Sequence, residues 1–437
     1  MHPAENTTSR TVLSHTESLC PECLRVVAAE VVTEGRAVYQ EKTCPEHGPF
    51  KTYLWPDVDH YKWLHSFEFP CVRPKQPSAA RRGCPLDCGL CTSHRRQPTL
   101  VEIELTQRCN LRCPVCFMAA EPAQQAAPPD PGLEAVEGMF RDILAKTGPQ
   151  TSIQLTGGEP TVRPDLADVV RIGREVGFTA IEVNTNGVVI GGDPAYAREL
   201  AAAGVSGIYL QFDGLSGPVY RTIRGRDLLP VKLRAIENCR AAGVQIALAM
   251  TVIGGVNDDQ MGAVLDFALD NRDVVVGIAY QPAFGSGRFE VKPGRRLTMG
   301  DIAFMLAAQS HGLLEPYDLW PLACAPLCDS ATYLLETEEG LRPLTRLISR
   351  QEYDDYYNPD SPQGSVFWDI AAARFGDCGQ GLSIAVLNFM DASSMDLRRL
   401  RECSMLVAGP GGRQVPFCAY QLTDLAGNKL SEKLIRG

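Results

Sequence analysis

The sequence has no apolar run approaching the ~20 residues that cross a bilayer. It also lacks positive charge: 42 Lys and Arg stand against 52 Asp and Glu, a net charge of −10. That balance excludes a non-specific nucleic-acid binder, which needs a basic face. Met1 to Arg10 is polar and holds no h-region, so no secretory signal is expected and the chain is expected to be cytoplasmic. In that compartment thiols stay reduced. The 16 cysteines are therefore read as metal ligands or buried thiols before disulfides. What remains is ordinary for a soluble globular protein, 45% hydrophobic and 22% charged, and 437 residues allow two or three domains.

The cysteines cluster. Cys20, Cys23 and Cys44 form one group, Cys84, Cys88 and Cys91 a second, and Cys109, Cys113 and Cys116 a third. Cys324, Cys328, Cys403 and Cys418 are spread over the C-terminal part, while Cys71, Cys239 and Cys378 stand alone. Of these only Cys239, inside the helical pattern Val231 to Ala242, reads as a plain buried thiol.

The third group organises the chain. Thr106-Gln-Arg-Cys109-Asn-Leu-Arg-Cys113-Pro-Val-Cys116-Phe has C-x₃-C-x₂-C spacing directly after the apolar run Leu100 to Leu105. Three thiolates from one short loop can hold three irons of a [4Fe–4S] cluster and leave the fourth iron open for chemistry on a bound molecule. Half of a zinc site is the competing reading, and the iron–sulfur reading is favoured because a second cysteine pair would normally complete a zinc site.

Residues 12–75 read as a small metal-binding domain. A Cys20-Pro-Glu-Cys23 knuckle, two short strand patterns and Cys44-Pro-Glu-His47 suit one tetrahedral zinc or rubredoxin-like iron that folds the domain. Cys71 and His47 are the candidates for the fourth ligand, with Cys71 favoured. Residues 76–98 repeat the C-x₃-C-x₂-C spacing at Cys84, Cys88 and Cys91, which argues for a second cluster; His94 is a fourth ligand, a donor to a cluster sulfide, or surface.

Residues 99–316 alternate strand and helix. Strands are expected at Leu100–Thr106, Ser152–Gly157, Ala180–Asn184, Gly207–Phe212, Gln245–Ile253 and Val274–Gln281, rich in Val and Ile as strands buried on both faces are. Helices are expected at Leu133–Lys146, Asp165–Val176, Asp193–Ala203, Leu228–Ala242 and Asp258–Asn271, with Gly177, Gly204 and Gly243 closing three of them. This α/β pattern means a parallel sheet, here an open, partial (β/α)6 barrel with its site at the carboxyl ends of the strands.

The unusual residues sit at those ends. They are the cysteine loop, Gly157-Gly158-Glu159-Pro160, Asn184-Thr185-Asn186, Gln211-Phe-Asp213, Thr251-Val-Ile-Gly254 and Tyr280-Gln281-Pro282. Glycines let backbone approach a ligand, Glu159 offers an anion to an ammonium group, and Asn184 and Asn186 offer amides to a ribose or carboxylate. Asp213 and Gln281 are expected to face the same mouth. Residues 317–437 hold Cys324, Cys328, Cys403 and Cys418, which suit a fully ligated auxiliary cluster or, alternatively, a zinc knuckle with two spare cysteines. Ala331 to Ser361 is acidic and tyrosine-rich and reads as surface or an insert.

These motifs resemble the radical S-adenosylmethionine (radical SAM) superfamily. The resemblance implies that the open iron on Cys109, Cys113 and Cys116 chelates SAM, whose reductive cleavage gives a 5′-deoxyadenosyl radical. It implies that Gly157, Gly158 and Glu159 meet the SAM amino group, and that Asn184, Asn186 and the Thr251 to Gly254 run meet its nucleoside. The order of the cysteine motifs, with Phe389-Met-Asp391 and Pro416-Phe-Cys418, is similar to the class D, dihydropterin methylase-like, radical SAM methylases and to the related tetraether lipid synthase. That implies C–C bond formation at an unactivated carbon of a small molecule or lipid, one or two auxiliary [4Fe–4S] clusters, a flavodoxin- or ferredoxin-type electron donor and, in the methylase branch, a methylene-folate-type donor. The sequence departs from the pattern at Val115, where an aromatic residue is common, and after Cys403, where no histidine follows. Peptide maturation by an auxiliary-cluster enzyme is an alternative within enzymes. A metal-binding electron-transfer protein is the alternative outside them, but it has no use for six polar strand ends.

Overall fold

The structure, a computed structural model, describes residues 10–87, 89–122, 129–322, 324–357, 366–376, 381–409 and 413–430. Cys88 and Cys378 lie outside the described residues. Among the described residues no helix is long and apolar enough to cross a membrane.

The N-terminal part is a four-stranded antiparallel ribbon, Arg10–Leu19, Val26–Glu34, Ala37–Cys44 and Gly48–Trp55, paired in chain order. Alternating burial along the second and third strands marks one face as packed and one as wet. The packed face docks on the C-terminal part. Ser18 Oγ donates to Met395 O at 2.6 Å, and the Lys42 ammonium donates to Ala392 O and Ser393 O at 3.1 and 2.8 Å. Burial brings Lys42 down to about 8, so these carbonyls serve a cation that is costly to bury.

The six expected strands are present within a residue or two: Leu100–Thr106, Ser152–Gly157, Ile181–Thr185, Gly207–Gln211, Ile246–Val252 and Val275–Pro282, all parallel and adjacent in chain order. Between them run Leu133–Thr147, Leu166–Val176, Pro194–Ala203, Leu229–Ala242 and Met261–Asp270. The Asp193 carboxylate caps the third of these at Ala195 N. Asp258 does not start the fifth. Its Oδ1 accepts from Gly255 N, so it belongs to the preceding turn.

The parallel array does not stop at six. Leu382–Leu387 adds beside Val275–Pro282 on one edge, and Met405–Ala408 adds beside Leu100–Thr106 on the other, both parallel. Antiparallel strands then finish each side: Asp329–Thr337 and Gly340–Pro343 on the first, Gln414–Pro416 on the second. The barrel is open as expected, but among the described residues it has eight parallel strands, two of them from the C-terminal region. The acidic, tyrosine-rich stretch is not a surface insert throughout. Ala331 to Thr337 is barrel sheet, and Tyr353 and Tyr357 are buried in an aromatic cluster with Phe67, Trp320 and Phe367. Burying five rings outweighs the solvation of the acids between them, which stay at the rim.

Candidate active site

Side chains on the inner face of the barrel enclose a cavity of about 490 Å³. Cys109, Cys113 and Cys116 line it, as do Gly157, Gly158, Glu159, Asn184, Asn186 and Gln281. Burial holds the Cys109 thiol up at about 12 and also raises Cys113, so neither ionises unaided near neutral pH. Bound metal charge relieves that cost, which fits these cysteines to a cluster.

Two arginines that the motifs did not reveal grip the cysteine loop. Arg224 Nη1 donates to Val115 O at 2.9 Å, and Arg288 Nη1 donates to Cys113 O at 3.0 Å. Arg288 Nη2 also reaches Ala119 O and Ala120 O. Arg224 is fixed in turn by Asp213, with Nε to Oδ2 at 2.7 Å and Nη2 to Oδ1 at 2.9 Å. Asp213 therefore does not face the mouth. It is fully buried, pairs with Arg224 and accepts from Thr251 N at 3.2 Å. Its role is to hold an arginine that holds the loop, because a buried carboxylate is tolerated only with such partners.

The Gly-Gly-Glu segment is built against the same loop. Gly158 N donates to Thr106 O and Glu159 N to Arg108 O. A Cβ on Gly157 would overlap the Thr106 carbonyl, and one on Gly158 the Arg108 carbonyl. The glycines thus serve the approach of two backbone segments as much as that of a ligand. The Glu159 carboxylate is also occupied. Its Oε1 accepts from Thr161 N at 3.1 Å and Thr185 Oγ1 at 2.6 Å, and its Oε2 accepts from Asn186 N at 2.7 Å. It clasps two strand ends together, and burial raises its pKa against the pull of these donors.

The two asparagines part company. Asn186 donates to Asn110 Oδ1 at 2.7 Å, beside Cys109, and its carbonyl accepts from the buried Lys232, which burial brings down to about 7. Asn184 points into the barrel and donates to Glu102 Oε1 at 3.3 Å and Gln154 Oε1 at 3.2 Å. Gln281 Nε2 donates to the Tyr209 hydroxyl at 2.7 Å. Glu102, Gln154 and Tyr209 also line the cavity. Their signal in the sequence was an acid and two polar residues at inward positions of otherwise apolar strands. Phe117, Phe284, Phe389 and Phe417 cluster along another part of the cavity, in edge-on, tilted and stacked pairs with centroids 4.3 to 5.9 Å apart.

Beside the cavity, whose lining includes Asp329, Ser404 and Phe417, the four C-terminal cysteines come together. Cys324 beside it, and then Arg399, bring the Cys328 thiol down to about 7 against burial. Burial raises Cys403, which also feels Cys418 and Cys328. Arg399 Nη2 lies 3.3 Å from Cys328 Sγ. Cys84 and Cys91 belong to the neighbouring loop, where the described residues leave Cys88 out. His94 is buried, not surface, and its Nε2 lies 2.9 Å from Cys403 O, tying the two cysteine segments together.

In the ribbon, ligand atoms of Cys20, Cys23, Cys44 and His47 all lie within 4.8 Å of one another. His47 Nδ1 is 3.6 Å from Cys20 Sγ and 3.4 Å from Cys44 Sγ, and Cys23 Sγ is 4.0 Å from Cys44 Sγ. Those separations suit a tetrahedral ion. Cys71 is not part of the group: it is exposed, and its Sγ donates to Arg95 O at 2.7 Å. The expectation for Cys71 is corrected to His47, which the tight turn after the third strand brings back over the knuckle.

Residues 103–268 match the radical SAM superfamily, and residues 12–56 match the HMPTM N-terminal zinc ribbon domain. The chain is 32% identical to the 7,8-dihydro-6-hydroxymethylpterin dimethyltransferase of Methanocaldococcus jannaschii, over 93% of this chain and 92% of that protein. It is 31% identical to the GTP 3',8-cyclase of Erythrobacter litoralis, over 40% of this chain and 51% of that protein. Among solved structures, Streptococcus suis SuiB bound to precursor peptide SuiA aligns with a TM-score of 0.41 at 16% identity, covering 48% of this chain and 45% of that one. The chain is a radical SAM enzyme of the family that includes the M. jannaschii dimethyltransferase, with a [4Fe–4S] cluster and SAM as cofactors and a metal-binding zinc ribbon at its N-terminal end.

Proposed function

We propose that this enzyme C-methylates a dihydropterin. One observation carries the reading: nearly the whole chain is alignable with a dihydropterin dimethyltransferase, and its barrel cavity has three cysteines at one end and a hydrogen-bonding wall inside. When bound, the cluster on Cys109, Cys113 and Cys116 supplies reductive cleavage of SAM to the 5′-deoxyadenosyl radical. The protein's part is placement. Gly157 and Gly158 present backbone to the methionyl end of SAM, while Asn186 and Gln281 present amides. Glu159, on this reading, acts through the strand ends it clasps. The four clustered phenylalanines keep water from the radical. A hydrocarbon substrate suits this cavity less well, because it would leave Glu102 Oε2 and Asn184 Oδ1 without partners at roughly 1–3 kcal/mol for each buried group.

Beyond the barrel, Cys324, Cys328, Cys403 and Cys418 are proposed to hold one auxiliary [4Fe–4S] cluster. Cys84, Cys88 and Cys91 are proposed to hold a second. A guanidinium against a cluster sulfur, as Arg399 is against Cys328, stabilises the reduced state. The ribbon ion is read as zinc, the electron donor as a flavodoxin or ferredoxin, and the one-carbon source as a methylene-folate-type donor. The test is anaerobic turnover of reconstituted protein with SAM, reductant, a methylene-folate and 6-hydroxymethyl-7,8-dihydropterin, followed by mass spectrometry. The expected products are 5′-deoxyadenosine and a pterin heavier by added methylene units. Deoxyadenosine with unaltered pterin would overturn the reading.

A further inference from the structure

Strand Leu100–Thr106 carries an acid where a barrel interior seldom keeps one. Glu102 is buried and lines the cavity, and the charge that acts on it is that of another acid, Glu104. Asn184 spends its amide group on Glu102 Oε1 and Gln154 Oε1. That leaves Glu102 Oε2 and Asn184 Oδ1 buried with no hydrogen-bond partner. Buried polar atoms are normally paired, so two orphans on side chains lining one cavity mark where a ligand completes the set. What is missing is an N–H donor to Asn184 Oδ1 and a partner for Glu102 Oε2, a donor to the carboxylate or an acceptor for the acid. The facing strands contribute Ala249, Ala279 and Ala385 to the same cavity, small residues that leave room for a flat ring.

We propose that Glu102 and Asn184 recognise the 2-amino-4-oxopyrimidine edge of the pterin, a proposal that rests on the dihydropterin reading above. A carboxyl meets that edge in one of two ring pairs. As the carboxylate it takes N3–H and the 2-amino group; as the acid it gives its proton to N1 and takes the 2-amino group. The exocyclic amine is common to both, and Asn184 Oδ1 takes a further N–H. Burial and Glu104 hold the Glu102 carboxyl up at about 8, which suits the second pair. Glu102 lies four residues before the strand's carboxyl end, roughly 13 Å of extended chain. A pterin with its amino edge there turns its pyrazine edge, the one carrying C6 and C7, toward the cysteine loop.

Equilibrium dialysis of the anaerobically reconstituted holoenzyme tests this, with 6-hydroxymethyl-7,8-dihydropterin and its 2-desamino analogue as probes. The wild type is expected to prefer the pterin by roughly tenfold to a hundredfold, the effect of one or two buried polar pairs. Glu102→Leu is close in size and removes a buried acid, so its melting temperature is expected to hold while the preference disappears. Equal affinity of the wild type for both rings overturns the proposal without any variant. A Glu102→Leu enzyme that keeps the preference also overturns it. Both results leave the dihydropterin reading intact. Failure of the wild type to bind either ring would sink that reading, and the proposal with it.

Discussion

Cys109→Ala is expected to bring 5′-deoxyadenosine formation down to the level of reductant and SAM alone. Replacing outer partners of metal ligands costs roughly 10–100-fold, and removing a ligand from a three-cysteine site exceeds that. The loss should be specific. Cys109 packs with Leu111, Ala120, Tyr220 and Leu228 in a small cluster of its own, while the main core is formed by Val101, Ile103, Leu105 and their neighbours. Truncating one thiol therefore leaves the barrel folded, which circular dichroism checks. Retained deoxyadenosine formation in a folded Cys109→Ala protein would show that these cysteines do not hold the SAM-cleaving cluster.

The second large effect concerns the ribbon. Metal binding by small zinc modules supplies about 10–16 kcal/mol that is also folding free energy. His47→Ala is expected to lose the ion and unfold residues 10–55 as a unit, seen as an early step in the melt and as new proteolytic cuts there. Because Ser18 and Lys42 are bonded to carbonyls at 392–395, the disturbance should reach the segment leading to Cys403. Cys71→Ser is expected to keep both zinc and melting profile. Zinc retained by His47→Ala but lost by Cys71→Ser would reverse the ligand assignment.

Much of this was legible in the chain. The six strands and their helices follow from apolar runs bounded by glycine and capping residues, and the cysteine loop and strand-end motifs from spacing. Three things were not. The two added barrel strands come from the C-terminal region, and Met405–Ala408, only four residues long, pairs with a strand some three hundred residues away, a contact that local pattern does not carry. The fourth ribbon ligand was ambiguous because a sequence shows proximity only within a turn. Cysteine chemistry favoured Cys71, and the fold placed His47. Asp213 read as a site acid because it ends a strand, yet its partner Arg224 is eleven residues on and claims both its oxygens. The signal for Glu102 was present, an acid within Leu-Val-Glu-Ile-Glu-Leu, but it takes the sheet to show that this position points inward.

The most direct test is electron paramagnetic resonance of the reconstituted, dithionite-reduced protein with and without SAM. A trio of sulfur ligands that leaves one iron vacant predicts a reduced-cluster signal whose g-values shift when SAM is added, with signals from fully ligated clusters unchanged. A spectrum indifferent to SAM would contradict the account at its centre.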